Sequence, residues 1–102
     1  MVTINTTFHV DEDIQHDFID YMKNRYIAEA VTDKKLAKVR LCKIHAQRVE
    51  RGISYSVQFT FNSLDDLDNW DKKKGIKLNK ELVKKFEDKV AGFSTLLEEM
   101  EI

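Results

Sequence analysis

The stretch Ile53-Ser-Tyr-Ser-Val-Gln-Phe-Thr-Phe-Asn62 constrains the fold of this chain more than any other. Tyr55, Val57, Phe59 and Phe61 alternate with Ser54, Ser56, Gln58 and Thr60. Successive side chains of a strand point to opposite faces, so the pattern predicts a strand with one apolar and one small-polar face. An apolar strand face needs cover, and a lone strand cannot supply it. The rest of the chain must therefore contribute neighbouring strands and a second layer. The strand is expected at the centre of a single sheet.

Residues 2–10 repeat the pattern, with Val2, Ile4, Thr6, Phe8 and Val10 alternating with Thr3, Asn5, Thr7 and His9. Asp11 is placed to cap a following helix, and Glu12 and Asp13 put negative charge where the helix dipole favours it. Ile14, Phe18, Tyr21, Met22 and Tyr26 share one side of that helix, which the spacing predicts over 12–30. Leu36–Ile44 reads as a strand with interleaved Lys38, Arg40 and Lys43, the charge expected of a protected sheet edge. Gln47–Gly52 reads as a polar hairpin turn, with Gly52 free to take a positive φ. Ser63-Leu-Asp-Asp66 has capping-box spacing and opens a helix with Leu64, Leu67 and Trp70 inward, ending at Gly75. A further helix follows, carrying Leu78, Leu82, Phe86 and Val90 at four-residue intervals with Val83 beside them, and stopping at Gly92. Phe93–Ile102 is expected as a last strand at the other edge.

Strand, helix, strand, strand, helices, strand is the order of the ferredoxin-like split βαβ arrangement, given right-handed crossovers. The expected class is therefore α+β, a ferredoxin-like βαββαβ unit. Its four-stranded antiparallel or mixed sheet has the helices on one face, with the second crossover split into two helices. In that topology the first and third strands lie side by side in the centre, and these are the two with the cleanest alternation. At 102 residues the chain has mass for one such domain, spanning 1–102.

Composition narrows the function. A net charge of −1 provides no basic surface for nucleic acid. The apolar runs are far shorter than the ~20 residues that span a bilayer, and Met1-Val-Thr-Ile-Asn-Thr-Thr7 does not read as a signal peptide. Cys42 is the single cysteine, so no internal disulfide or multi-cysteine metal site can form. No nucleic-acid or membrane partner is expected, and the location expected by default is cytoplasmic.

If the helices cover the apolar face, the other face of the central pair carries Thr3, Asn5, Thr7, His9, Ser54, Ser56, Gln58 and Thr60. None of these is Lys, Arg, Asp or Glu, in a chain that is 34% charged. One reading is an ordinary solvated face. The other is a face covered by something uncharged and close-fitting, which a second copy of the same sheet supplies by two-fold symmetry. The second reading is favoured, and it makes the eight residues a homodimer interface.

The pattern resembles the dimeric α/β-barrel superfamily, in which two ferredoxin-like protomers pack sheet against sheet. Within it, Leu41-Cys-Lys-Ile44, Tyr55-Ser-Val-Gln-Phe59 and Gly92-Phe-Ser-Thr-Leu-Leu-Glu98 resemble a family of short bacterial domains of unknown function. The resemblance covers essentially the whole chain, but its motifs are packing motifs and bring no catalytic or binding residues. The superfamily also contains haem-degrading and antibiotic-biosynthesis monooxygenases. Asn5 and Trp70 are similar to residues of the haem-degrading type, which also implies a haem-ligating His in the second crossover. Residues 62–92 contain no histidine, which argues against that activity. Trp70 fits a buried helix face instead.

The remaining candidates for chemistry are sparse. His9, His16 and His45 are too far apart for a local metal motif, with His16 on the outward side of its helix. His9 ends the polar row and is placed to bond across a dimer. Cys42 lies near the basic Arg40 and Lys43 in sequence, but no base is evident beside it to make it a nucleophile. Asp65-Asp-Leu-Asp68 lacks the ligand pattern and Gly of a calcium loop and suits a helix start. No glycine-rich phosphate loop is present. The first functional expectation is therefore a homodimeric, non-catalytic binding or regulatory domain without cofactor or metal. The alternative is a small cofactor-independent, monooxygenase-like enzyme. It would act on a hydrophobic molecule between helices and sheet, lined by Tyr21, Tyr26, Tyr55, Phe59 and Trp70.

Overall fold

The computed structural model of the protein describes residues 1–45 and 52–102. Four nine-residue strands, β1 (Val2–Val10), β2 (Leu36–Ile44), β3 (Ile53–Phe61) and β4 (Val90–Glu98), form one sheet in the order β2-β3-β1-β4. Every neighbouring pair is antiparallel. As the alternation predicts, β1 and β3 are central, and β2 with its basic residues is an edge. The Gln47–Gly52 turn lies mostly outside the described residues, although Gly52 itself has the expected positive φ, +88°.

The first crossover is helical over 12–30, but its hydrogen bonding changes along its length. A 3-10 turn (Glu12–Ile14) leads into α1 (Gln15–Tyr21), a π-helical turn (Met22–Tyr26) and α2 (Ile27–Ala30). Asp11 precedes the first turn without a side-chain cap bond. In the second crossover Ser63 caps as expected, its Oγ accepting from the Asp66 N–H at 3.2 Å. There the two α segments, α3 (Leu64–Trp70) and α4 (Ile76–Phe86), are joined by a π-helical turn over Asp71–Gly75. Gly75 does not end the helix: its dihedrals, φ −59° and ψ −50°, are helical and the backbone runs straight through.

The end of α4 differs from the sequence expectation. The helix stops at Phe86, because Glu87 takes φ 53° and breaks the ladder; a 3-10 turn over Glu87–Lys89 follows. Val90 begins β4 rather than ending the helix, and β4 spans Val90–Glu98 rather than Phe93–Ile102. Gly92 is no helix cap. It lies in β4, where a Cβ would come within 2.9 Å of two carbons of the Phe8 ring.

The helices cover one sheet face. Phe8, Val10, Tyr55, Val57, Phe59 and Phe61 from the strands close with Phe18, Met22, Tyr26, Leu67, Trp70, Leu78 and Leu82 into one core. Leu64 and Val83, expected inward or beside the core, are exposed instead. A bulge between Leu36 and Lys38 shifts the β2 register, which puts Leu36, Val39 and Leu41 on the helix side together.

Candidate functional site

The register of β1 and β3 sets the eight polar residues opposite one another: Thr3 with Thr60, Asn5 with Gln58, Thr7 with Ser56, His9 with Ser54. Their side chains bond within the face. Thr3 and Thr60 share a hydroxyl contact at 2.8 Å, and His9 Nδ1 lies 3.1 Å from Ser54 Oγ. Ser56 donates to Asn5 Oδ1, Asn5 Nδ2 donates to Thr7 Oγ1 at 3.4 Å, and Gln58 Nε2 reaches Ser56 Oγ at 3.5 Å. A polar group already hydrogen-bonded to its neighbours loses little when water is removed, whereas an unpaired one costs several kcal/mol, roughly 2–7 in an apolar medium. This row is built to tolerate cover.

The edges extend the same face. On β4, Ala91, Phe93, Thr95 and Leu97 are registered to His9, Thr7, Asn5 and Thr3, so they share the uncovered side. Phe93 is 65% exposed and Leu97 45%. On β2, Lys38, Arg40, Cys42 and Ile44 lie level with Thr60, Gln58, Ser56 and Ser54. The face thus has an uncharged, internally bonded centre, an apolar margin on β4 and a partly basic one on β2. Phe93 and Leu97 escape a reading confined to the central pair, because only the pairing of β4 with β1 tells which of its two rows is on the open side.

On the helix side, four of the five aromatics expected to line a ligand pocket are packed among themselves. Tyr26, Tyr55, Phe59 and Trp70 are all at most 4% exposed. Phe59 and Trp70 have ring centroids 4.9 Å apart, and the Trp70 indole N–H donates to Ala30 O at 3.2 Å. Tyr21 is half-buried, meeting the Phe86 ring edge-on at 5.5 Å. Burial pushes the Tyr26 hydroxyl well above the usual phenol range, with Asp71 adding to the effect. That hydroxyl donates to Asn79 Oδ1 at 2.7 Å.

Open space lies instead between α4 and the β1–β4 pair. A cleft of about 190 Å³ is lined by Thr6, Phe8, Asn79, Leu82, Val83, Val90, Gly92 and Ser94. Thr6 is the one polar residue on the covered side of β1, and its hydroxyl meets Ser94 Oγ at 2.9 Å. A more open groove of about 480 Å³, lined by Ile76, Asn79, Lys80, Val83 and Lys84, shares Asn79 and Val83 with it. The cleft lining has hydroxyls and an amide to orient a ligand. It has no carboxylate, imidazole, thiol or amine to move a proton.

The other candidates stand apart. His16 is fully in solvent near Asp20, and Cys42 is half-buried on β2 beside Ser56. Among the described residues no group of three His, Cys, Asp or Glu side chains is placed to hold a metal ion, and no helix is long and apolar enough to cross a membrane.

A family described as a domain of unknown function, DUF4286, has a model that matches residues 1–100. No curated protein matches the sequence. Solved structures resemble the fold at low identity. An ethyl tert-butyl ether d (EthD) family protein from Bacillus halodurans has TM-score 0.74 and 13% identity, over 98% of this chain and 100% of that one. An antibiotic biosynthesis monooxygenase-type protein from Deinococcus radiodurans has TM-score 0.72 and 11% identity, over 100% and 95%. A dimeric ferredoxin-like protein from an uncultured marine organism has TM-score 0.72 and 9% identity, over 99% and 96%. At such identities the likeness shows the ferredoxin-like fold.

Proposed function

The chain belongs to the DUF4286 family of domains of unknown function, and on that premise we propose that it is a homodimeric, non-catalytic binding or regulatory domain of the bacterial cytoplasm. One observation carries the reading. The eight central residues of the open face are hydrogen-bonded within the face and include no Lys, Arg, Asp or Glu, while Phe93 and Leu97 stand exposed beside them. A solvated face needs neither feature; a face against a second identical sheet uses both. The dimeric ferredoxin-like neighbour supports the same reading. Light scattering at micromolar concentration should give twice the 12.0 kDa chain mass. A monomer under those conditions would overturn the proposal.

A second reading, a small cofactor-independent monooxygenase-like enzyme acting on a hydrophobic molecule, draws on the cleft beneath α4 and on the monooxygenase-type neighbours. The cleft's lack of an acid or base favours binding over catalysis. Native mass spectrometry of protein purified from its own cells separates the two. A retained small molecule that emerges unchanged supports a binding domain; one converted on incubation with oxygen establishes the enzyme.

A further inference from the structure

The two sheet edges carry opposite charge, and the opposition is matched end for end. β2 and the turn before it contribute Lys34, Lys35, Lys38, Arg40 and Lys43, with no acidic residue from 34 to 44. β4 and the residues after it contribute Glu98, Glu99 and Glu101, with no basic residue from 90 to 102. Val2 is registered to Phe61 on one side and Glu98 on the other, and Phe61 to Leu36. The lysines at the start of β2 and the glutamates at the end of β4 therefore sit at the same end of the sheet, on opposite edges. All six of Lys34, Lys35, Lys38, Glu98, Glu99 and Glu101 are exposed. Among the described residues none of the six has a salt bridge.

Two sheets can stack face to face about a two-fold axis in two simple ways. With the axis across the strands, each β4 faces the partner's β4 with its ends reversed. The glutamates then meet the turn carrying Glu87, Asp88 and Lys89, the last already paired with Asp13, and the lysines of β2 meet Lys43. Like charges predominate at both ends. With the axis along the strands, strand direction and ends are kept while the edges exchange. Each β4 then lies antiparallel to the partner's β2, with Glu99 and Glu101, just past the strand, level with the partner's Lys34–Lys38, while Glu98 points to the helix side with Val2. We infer that the homodimer adopts the second arrangement, closed by two identical seams in which the acidic end of β4 meets the basic start of the partner's β2. Phe93 and Leu97 on the open side of β4 are covered in either arrangement, so the charges at the sheet ends decide between the two.

This inference rests on the homodimer reading, and the experiment separates their failures. Two variants are made, Glu99→Lys/Glu101→Lys and Lys34→Glu/Lys35→Glu/Lys38→Glu. Circular dichroism checks that both fold. Dimer dissociation constants are measured at low ionic strength by sedimentation. Each variant alone should dissociate about tenfold or more readily than the parent, since both seams become repulsive. Mixed together they should form a heterodimer of near-parental affinity, in which both seams are again complementary. A dimeric parent whose glutamate variant associates unchanged overturns the seam and leaves the dimer standing. A monomeric parent overturns both.

Discussion

On the helix side of the sheet, Phe8, Tyr55, Phe59 and Phe61 are closed under Phe18, Tyr26 and Trp70. On the other side, Thr7, Ser56 and Gln58 bond in a row with Asn5, and Ser54 bonds to His9, under no layer of their own chain. The same two central strands build both faces, so the difference lies wholly in side-chain chemistry. Burial at about 25 cal/mol per Å² of apolar surface drives the first face closed without a partner. The second gains little from closing, and its paired hydroxyls and amides only make cover tolerable. One face therefore determines that the chain folds, and the other is free to determine what it meets.

Substitutions can break this contrast at graded cost. Trp70 is packed against Phe59 and Phe61 and anchors the helices through Ala30 O. Trp70→Ala should lower unfolding stability by about 3–5 kcal/mol in urea titration. A loss below about 1 kcal/mol would mean that the covered face is not close-packed. Next comes Gly92→Ala, where the added Cβ has no room beside the Phe8 ring. Overpacking there should cost about 1–3 kcal/mol and narrow the cleft beneath α4.

Tyr26→Phe should cost about 0.5–1.5 kcal/mol near neutral pH, from the lost bond to Asn79. It should also change the pH profile. Burial raises the folded-state pKa of Tyr26, so its contribution is fully present below the unfolded phenol value of about 10 and is lost as pH climbs above it. The parent should therefore lose stability faster than the Phe variant on going from pH 9 to pH 11. Parallel denaturant midpoints over that range would sink the assignment. Gentlest for the fold is Gln58→Glu on the open face. Unfolding of the isolated chain should shift by no more than about 0.5 kcal/mol. Association should weaken about tenfold or more, because the new carboxylate must be dehydrated in the interface. Unchanged association would return this face to ordinary solvent.

Much of this was legible along the chain because burial imposes its period on side-chain type. The alternation of β1 and β3, the first crossover and the core position of Trp70 follow from it, and the Ser63 cap follows from its spacing to Asp66. The cleft was not legible. It depends on Thr6, Asn79, Gly92 and Ser94, four unremarkable residues brought together from three elements. The aromatics that looked like a pocket lining are instead the residues most able to fill one another's space. The junction of α4 and β4 misleads for a local reason: Leu82, Phe86 and Val90 keep helical spacing straight across the break. Helical periodicity does not register a dihedral change, and Glu87 at φ 53° is neither Gly nor Pro.

Sequence alone therefore determined the sheet's two faces, its central strands and the helical cover, since each is a periodic demand of burial on side chains near in sequence. Tertiary structure decided the rest. The bulge in β2, the start of β4 and the level at which Lys38 and Glu98 stand depend on backbone hydrogen bonds between strands distant in sequence, and no local pattern encodes those registers.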